Sequence, residues 1–141
     1  MSDKACCGIA WNDSYLLGNE QIDRQHKKLF EMVNDLVNSC QEGTHPMKLQ
    51  VILEFLVNYT VRHFHFEEEL QLQYGYPEYK SHKKLHEDFK KAIREFAVKL
   101  EKNGPSDELC NEFNVIVVRW LVNHIQREDK KIGLHIQSLV A

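Results

Sequence analysis

Histidines and carboxylates crowd the middle of this 141-residue sequence, where residues 63–86 read HFHFEEELQLQYGYPEYKSHKKLH. Imidazole and carboxylate are ligand types that iron, manganese and zinc accept, and this stretch offers both without a thiolate. His63 and Glu67 are four residues apart, as are His82 and His86, so each pair would project from one face of a helix. The stretch is therefore a candidate metal site.

A second pair with the same spacing, His65 and Glu69, competes with His63 and Glu67. On a helix the two pairs point about 160° apart, so they cannot share one face. His63 falls eleven residues after Ile52, on the apolar stripe of its segment. The stripe therefore assigns His63 and Glu67 to the interior and leaves His65 and Glu69 on the outer face.

The elements that must position these residues are helices, each with one apolar stripe at i, i+3, i+4, i+7 spacing. Three segments that combine Gly with a nearby Pro separate them, namely QEGTHP, YGYP and KNGPSD. We predict an all-α fold, an up-down-up-down antiparallel four-helix bundle formed by a single domain, residues 1–141. Its predicted parts are an N-terminal arm at 1–18 that covers part of the bundle with Trp11 and Tyr15, helices at about 19–40, 46–73, 77–101 and 106–131, and a short C-terminal extension at 132–141.

Every predicted helix directs at least one histidine into the interior. Burying several imidazoles and a carboxylate without a shared partner would be unfavourable, because each group loses its hydration. Metal coordination replaces that hydration, and two ions bridged by carboxylate accommodate five histidines better than one ion does. At 100° per residue, the histidines on the apolar stripes are His26, His63, His82, His86 and His124.

The fourth helix leaves its carboxylate undecided. Glu128 follows His124 by four residues and would share its face. Asp129 follows His124 by five residues and points about 140° away on a regular helix. Spacing alone therefore favours Glu128.

Two familiar metal-site patterns do not fit. A ferritin-like di-iron site needs a Glu-x-x-His pair on each of two helices, and the one such spacing, Glu42 to His45, falls in a Gly/Pro loop. The segment HEDFK at 86–90 begins like the zinc-protease motif HExxH but lacks its second histidine.

Composition narrows the partners and the compartment. A net charge of −3 and the lack of a Lys/Arg cluster argue against nucleic acid. The N-terminus lacks the apolar run of a signal peptide and no stretch approaches a membrane span, so we expect a cytoplasmic protein without a membrane partner. No CxxC spacing occurs, and we expect free thiols at Cys6, Cys7, Cys40 and Cys110.

Across nearly the whole chain the sequence resembles the hemerythrins, specifically the single-domain bacteriohemerythrins. The resemblance rests on IDRQHKKLF, HFHFEE, GYPEYKSHKKLH and WLVNHIQREDKKIG, and on the order His…HxxxE…HxxxH…HxxxxD. It implies that Asp129, not Glu128, is the fourth-helix ligand, and because i+5 spacing does not share a face on a regular helix we expect a local adjustment or an unusual approach angle there. The implied ligands are His82, His86 and His124 on one iron, His26 and His63 on the other, and Glu67 and Asp129 as bridges.

The resemblance also implies the activity, which is reversible dioxygen binding for oxygen storage, delivery or sensing. The implied cofactor is a non-heme pair of iron ions (Fe2+/Fe3+) with an oxo or hydroxo bridge. Other small diatomic or anionic ligands are further candidates, and the protein is expected to be a monomer. The implied ligand pocket is apolar, as water exclusion requires, and consists of Leu29, Phe64, Trp120, Leu121 and Ile125.

Two other functions stay open at this point. The same centre could belong to an enzyme that acts on peroxide or nitric oxide or oxidises iron. The apolar pocket favours a non-enzyme with at most a weak peroxidase-like side activity. A third reading is an oxygen- or redox-sensing module that signals to a partner in trans.

Overall fold

Four long helices form the protein, whose computed structural model describes residues 10–43 and 45–140. No β-strand occurs in this part of the chain, and the predicted all-α four-helix bundle is confirmed. The first three helices begin and end within two residues of the predicted bounds. They are α1 (Glu20–Gln41), α2 (Pro46–Gln73) and α3 (Tyr79–Asn103), and the fourth helix spans residues 107–140.

Local signals in the sequence set the helix ends. The Asn19 side chain accepts a hydrogen bond from the Ile22 amide at α1, and the Ser106 side chain does the same for Leu109 at the fourth helix. Pro46 occupies the first turn of α2, where its missing N–H costs nothing. Gly104 ends α3 with φ of +73°, a conformation that suits glycine.

The fourth helix is not uniformly α-helical. Its α segments are Asp107–Phe113, Arg119–Asn123 and Lys130–Val140. Between them lie two π-helical segments, Asn114–Val118 and His124–Asp129. Such i→i+5 turns are rare inside helices and often occur at functional sites.

The C-terminal residues differ from the expected separate extension, because they continue the fourth helix through Val140. Gly133 permits a close approach there: a Cβ at this position would lie 2.5 Å from the Leu17 carbonyl oxygen. His135 Nε2 donates a hydrogen bond to the Tyr74 carbonyl at 2.8 Å. These contacts join the last turns to the arm and to the α2–α3 loop.

The described part of the predicted arm, residues 10–18, covers part of the bundle through Trp11 and Tyr15, as expected. Trp11, Tyr15 and Phe30 of α1 form an aromatic cluster with ring centroids 5.0–5.4 Å apart. None of the helices in the described ranges combines the length and the hydrophobicity that a bilayer span needs.

The expectation of free thiols was wrong for two of the four cysteines. Cys40, in the last turn of α1, and Cys110, in the first turns of the fourth helix, form a disulfide across a Cα–Cα distance of 6.2 Å. They are 70 residues apart, so their proximity follows from the antiparallel packing and from no local motif. Cys6 and Cys7 lie outside the described residues.

Candidate metal centre

Seven polar side chains are buried together inside one end of the bundle, and all four helices contribute to them. Each is at most 4% exposed although it carries an imidazole or a carboxylate. Burial of such groups is tolerated where they have charged or coordinating partners. They are the seven residues listed from the resemblance: His26, His63, Glu67, His82, His86, His124 and Asp129.

The candidate ligand atoms form two groups that share Glu67 and Asp129. Within each group these atoms lie within 4.8 Å of one another. The two-histidine group adds His26 and His63 to the shared carboxylates, and the three-histidine group adds His82, His86 and His124.

In the two-histidine group both imidazoles turn Nε2 toward the shared carboxylates. His26 Nε2 lies 3.0 Å from Glu67 Oε2 and 3.1 Å from Asp129 Oδ2. His63 Nε2 lies 2.9 Å from Glu67 Oε2. Glu67 therefore contacts residues of α1 and of its own helix through one oxygen.

In the three-histidine group the imidazoles also turn Nε2 toward the shared carboxylates, from the other side. His82 and His124 each place Nε2 3.0 Å from Asp129 Oδ1. His86 places Nε2 3.3 Å from Glu67 Oε1. All five rings of the centre thus direct the same nitrogen inward.

Several of these inward atoms lack a hydrogen-bond partner among the described residues. They are His86 Nε2, Glu67 Oε1 and both carboxylate oxygens of Asp129. The Asp129 oxygens have imidazole nitrogens 3.0–3.1 Å away, but these contacts do not have hydrogen-bond geometry. Buried ligand atoms that converge without satisfactory hydrogen bonds are what a bound cation would satisfy, so the residues fit a metal site.

A π-helical turn explains how Asp129 reaches the centre. The segment His124–Asp129 is π-helical, and i→i+5 bonding brings residues five apart onto one face. Glu128, the residue favoured by regular spacing, has a partly exposed side chain 3.6 Å from Lys131. Of the two expectations for this helix, a local adjustment or an unusual approach angle, the structure has the local adjustment, in the form of a π-helix.

The competing pair on α2 faces solvent. The His65 and Glu69 side chains are 70% and 69% exposed, and they contact each other at 3.3 Å. Helical phase therefore separated the two equally spaced pairs of this helix correctly. His45, also outside the centre, caps the start of α2 by accepting a hydrogen bond from the Met47 amide.

Comparison with known proteins gives a family consistent with this geometry. The Hemerythrin HHE cation binding domain family matches residues 17–133. A bacteriohemerythrin of Pseudomonas paraeruginosa is 36% identical over 121 residues, which cover 86% of this chain and 76% of the relative. A myohemerythrin of Theromyzon tessulatum is 32% identical over 86% of this chain and 88% of its own length.

Solved structures give the same result. The crystal structure of wild-type hemerythrin is similar with a TM-score of 0.79 and 28% identity, and the match covers 91% of this chain and 97% of that one. This chain belongs to the hemerythrin family. The family is known for oxygen binding at a di-iron site.

Aromatic rings of this hemerythrin pack directly on the centre. Phe64 stacks on His86 with ring centroids 3.8 Å apart, and Trp120 stacks on His124 at 4.3 Å. Phe89, which the sequence analysis did not single out for the pocket, stacks on Trp120 at 4.3 Å. These contacts lie on the three-histidine group.

The other predicted pocket residues are also enclosed. Leu29, Leu121 and Ile125 are at most 3% exposed, while Trp120 is half-buried. These side chains make part of the surroundings of the centre apolar. That these five residues line the ligand pocket stays a prediction.

Burial and the shared carboxylates act in opposite directions on the histidines. Burial alone would lower the pKa of His26, but the close carboxylates of Asp129 and Glu67 outweigh it and raise that pKa to about 9. His82, with the same opposing influences, has its pKa raised to about 10. For His63 burial prevails and the pKa is lowered.

The carboxylates are held in their charged form. Burial would raise the pKa of Glu67, yet His63 and His26 bring it well below the usual range. Burial and the charge of Glu67 oppose ionisation of Asp129, and the imidazoles of His124 and His26 still lower its pKa. A metal ion that binds these groups must therefore displace protons from imidazoles, not from carboxylates.

Four polar residues around the centre were not anticipated from the sequence. Gln25 and Glu68 contact the outer nitrogens of two of the histidines. Gln71, one turn after Glu67, is fully buried, and Tyr76 is 6% exposed. Glu68 directly follows Glu67 and Gln71 follows it by four residues, which the sequence shows, but that Glu68 and Gln25 contact His86 and His63 depends on how the helices pack.

Proposed function

We propose that this hemerythrin binds dioxygen reversibly at a carboxylate-bridged di-iron centre, for oxygen storage, delivery or sensing. The observation that supports the proposal is the overlap of two ligand groups on Glu67 and Asp129. Two cations held close together repel each other, and carboxylates shared between them reduce that repulsion. The overlap thus suits two metal ions better than one.

The ligand chemistry favours iron. Five imidazoles and two carboxylates without a thiolate are a donor set that iron accepts. Iron at this position would supply two electrons that dioxygen takes up on binding and returns on release. The residues that would hold the two ions are His82, His86 and His124 for one, His26 and His63 for the other, and Glu67 and Asp129 for both.

The surrounding side chains support a carrier over an enzyme. Leu29, Leu121 and Ile125 are buried apolar residues, and Phe64 covers one face of the His86 ring. A dry environment keeps dioxygen binding reversible, because water and proton donors favour irreversible oxidation of the iron. The role of these side chains would be to exclude water, not to transfer protons.

The experiment is an oxygenation cycle on iron-loaded protein. The protein is reduced without oxygen, exposed to oxygen and then purged, while the visible spectrum is recorded. A charge-transfer band that appears and vanishes over repeated cycles supports the carrier. Permanent oxidation of the iron, with catalytic consumption of peroxide or nitric oxide, would contradict the carrier hypothesis and support the enzyme hypothesis. Failure of the protein to take up Fe(II) would refute both hypotheses.

Matched variants assign the ligands in the same experiment. Asp129→Asn should abolish the reversible band, whereas Glu128→Gln should retain it, since Glu128 contacts Lys131 instead of the centre. His65→Gln on the outer face of α2 serves as a second control. A result in which Glu128→Gln loses the band and Asp129→Asn keeps it would contradict the ligand set.

A further inference from the structure

The outer nitrogens of His86 and His63 are held by partners of different charge. His86 Nδ1 lies 2.8 Å from Glu68 Oε2, and His63 Nδ1 lies 2.6 Å from Gln25 Oε1. One partner is a carboxylate and the other a neutral amide. His86 belongs to the three-histidine group and His63 to the two-histidine group. The two groups therefore differ in the charge of the residue that holds an outer histidine nitrogen.

Both partners accept, which determines the tautomer of each ring. A carboxylate oxygen and an amide oxygen cannot donate, so Nδ1 of His86 and of His63 carries the hydrogen. The lone pair is then on Nε2, the nitrogen that each ring directs toward Glu67. Glu68 and Gln25 thus prepare both imidazoles for metal binding through the inner nitrogen.

Glu68 is placed to act strongly on His86. The residue is 8% exposed, His86 is fully buried, and the hydrogen bond joins α2 to α3. A charge-assisted hydrogen bond in such a site is about twice as strong as a neutral one and makes the imidazole a better electron donor. Gln25, which offers only a neutral acceptor, cannot increase the basicity of His63 to the same degree.

The other side of Glu68 faces a surface groove. This groove, of about 450 Å³, is lined by Val61, Arg62, His65, Glu68 and Lys90. Two of these lining residues, Arg62 and Lys90, are cationic. Glu68 is therefore both buried enough to influence His86 and accompanied by positive charge.

We propose that Glu68 is a positioning residue that, through His86, makes the three-histidine group the stronger iron site and lowers the reduction potential of the iron there. Gln25 holds His63 through the same ring nitrogen but leaves the two-histidine group the weaker electron donor. This inference rests on the proposed di-iron centre. It adds that the two iron positions differ in the charge of the residue behind a ligand histidine, a carboxylate for one position and a neutral amide for the other.

The test uses three variants of the full chain: Glu68→Gln, Gln25→Glu and the control Glu69→Gln. Glu68→Gln keeps the shape and an acceptor oxygen while removing the charge. Glu69 is adjacent in sequence but 69% exposed and outside the centre. Iron affinity is measured by competition with a chelator, and the midpoint potential is measured without oxygen.

Glu68→Gln should weaken the tighter of the two iron sites about 10- to 100-fold and raise the midpoint potential, as loss of a ligand's hydrogen-bond partner commonly does. A loss of Fe(III) affinity ten times larger than that of Fe(II) corresponds to a shift of about 59 mV. Gln25→Glu should shift the potential downward. Glu69→Gln should match the wild type in both measurements.

Equal potentials in Glu68→Gln and Glu69→Gln would overturn the inference, because a purely structural hydrogen bond survives the amide substitution. A second measurement uses the unmodified chain loaded with diamagnetic Zn2+ and 15N-labelled at histidine. The Nδ1–H of His86 should resonate further downfield than that of His63, and the reverse order would also overturn the inference. Wild type that binds no Fe(II) would instead refute the proposed function itself.

Discussion

At one end of the bundle the interior contains five imidazoles and two carboxylates, whereas at the other end it is apolar and closed by a disulfide. Antiparallel packing places the polar and the apolar interior at opposite ends. The start of α1 lies beside the end of α2, and the end of α1 lies beside the start of α2. The residues that fill the apolar end are Leu36, Val37, Leu49, Leu53, Phe96, Leu100, Leu109 and Phe113.

The difference indicates that one end of the bundle stabilises the fold and the other end binds metal. The apolar end is stabilised by burial that needs no ligand. The centre end holds charged groups whose burial is compensated among themselves or by metal. Changes at the apolar end should therefore alter unfolding with or without iron, and changes at the centre should depend on iron.

The largest effect is expected from a cavity at the apolar end. Phe113 is 2% exposed and packs on Phe96 with ring centroids 4.8 Å apart. Phe113→Ala should lower the free energy of unfolding by about 3–5 kcal/mol. Urea titration should give the same loss of unfolding free energy for the iron-free and the iron-loaded protein. A loss confined to the iron-loaded form would contradict the separate roles of the two ends.

Removal of the disulfide should have the next largest effect. A Cys40→Ala/Cys110→Ala double variant should lose about 2–4 kcal/mol of unfolding free energy, because the cross-link restricts the unfolded chain over 70 residues. The measurement is urea titration, with reductant added to the wild type as a comparison. Equal stability of wild type and double variant would show that the bond contributes little.

Iron should stabilise the centre end by mass action. At a free concentration 100 times its Kd, each independent site adds about 2.7 kcal/mol to the free energy of unfolding. Glu67→Gln should remove most of this gain, since Glu67 belongs to both ligand groups. Thermal unfolding with and without Fe(II) tests it, and Glu69→Gln should keep the full gain.

The stability of the iron-free protein should also depend on pH. His26 and His82 have pKa values raised to about 9 and 10, above the 6.5 of the unfolded chain. Their contribution is complete below pH 6.5 and is lost as the pH rises through 9–10, because only the folded state keeps these protons. Both protons therefore make the iron-free protein less stable as the pH rises through that window.

Urea titrations of iron-free protein from pH 7 to 9 should show this decline. The lowered pKa of His63 acts in the opposite direction, but below pH 6.5. Iron affinity should rise over the same range, since the metal competes with protons for the imidazoles. Iron-free stability that increases from pH 7 to 9 would contradict the assignment of these protons.

Much of the fold and of the centre could be predicted because the relevant information is local. Helical period and Gly/Pro punctuation predicted the bundle, and phase on α2 placed His63 and Glu67 inside and His65 outside. Asp129 was different. Regular spacing favoured Glu128, and only the family resemblance pointed to Asp129, since a π-helical turn leaves no periodic signature in a single sequence.

What the sequence by itself determined is the face on which each histidine lies, because a helix repeats every 3.6 residues whatever surrounds it. The tertiary structure alone decided which residues meet across helices. The pairing of Cys40 with Cys110 and the partners of His63 and His86 are of this kind. Such contacts depend on how the helices pack and on which rotamer each side chain adopts. Local periodicity predicts neither.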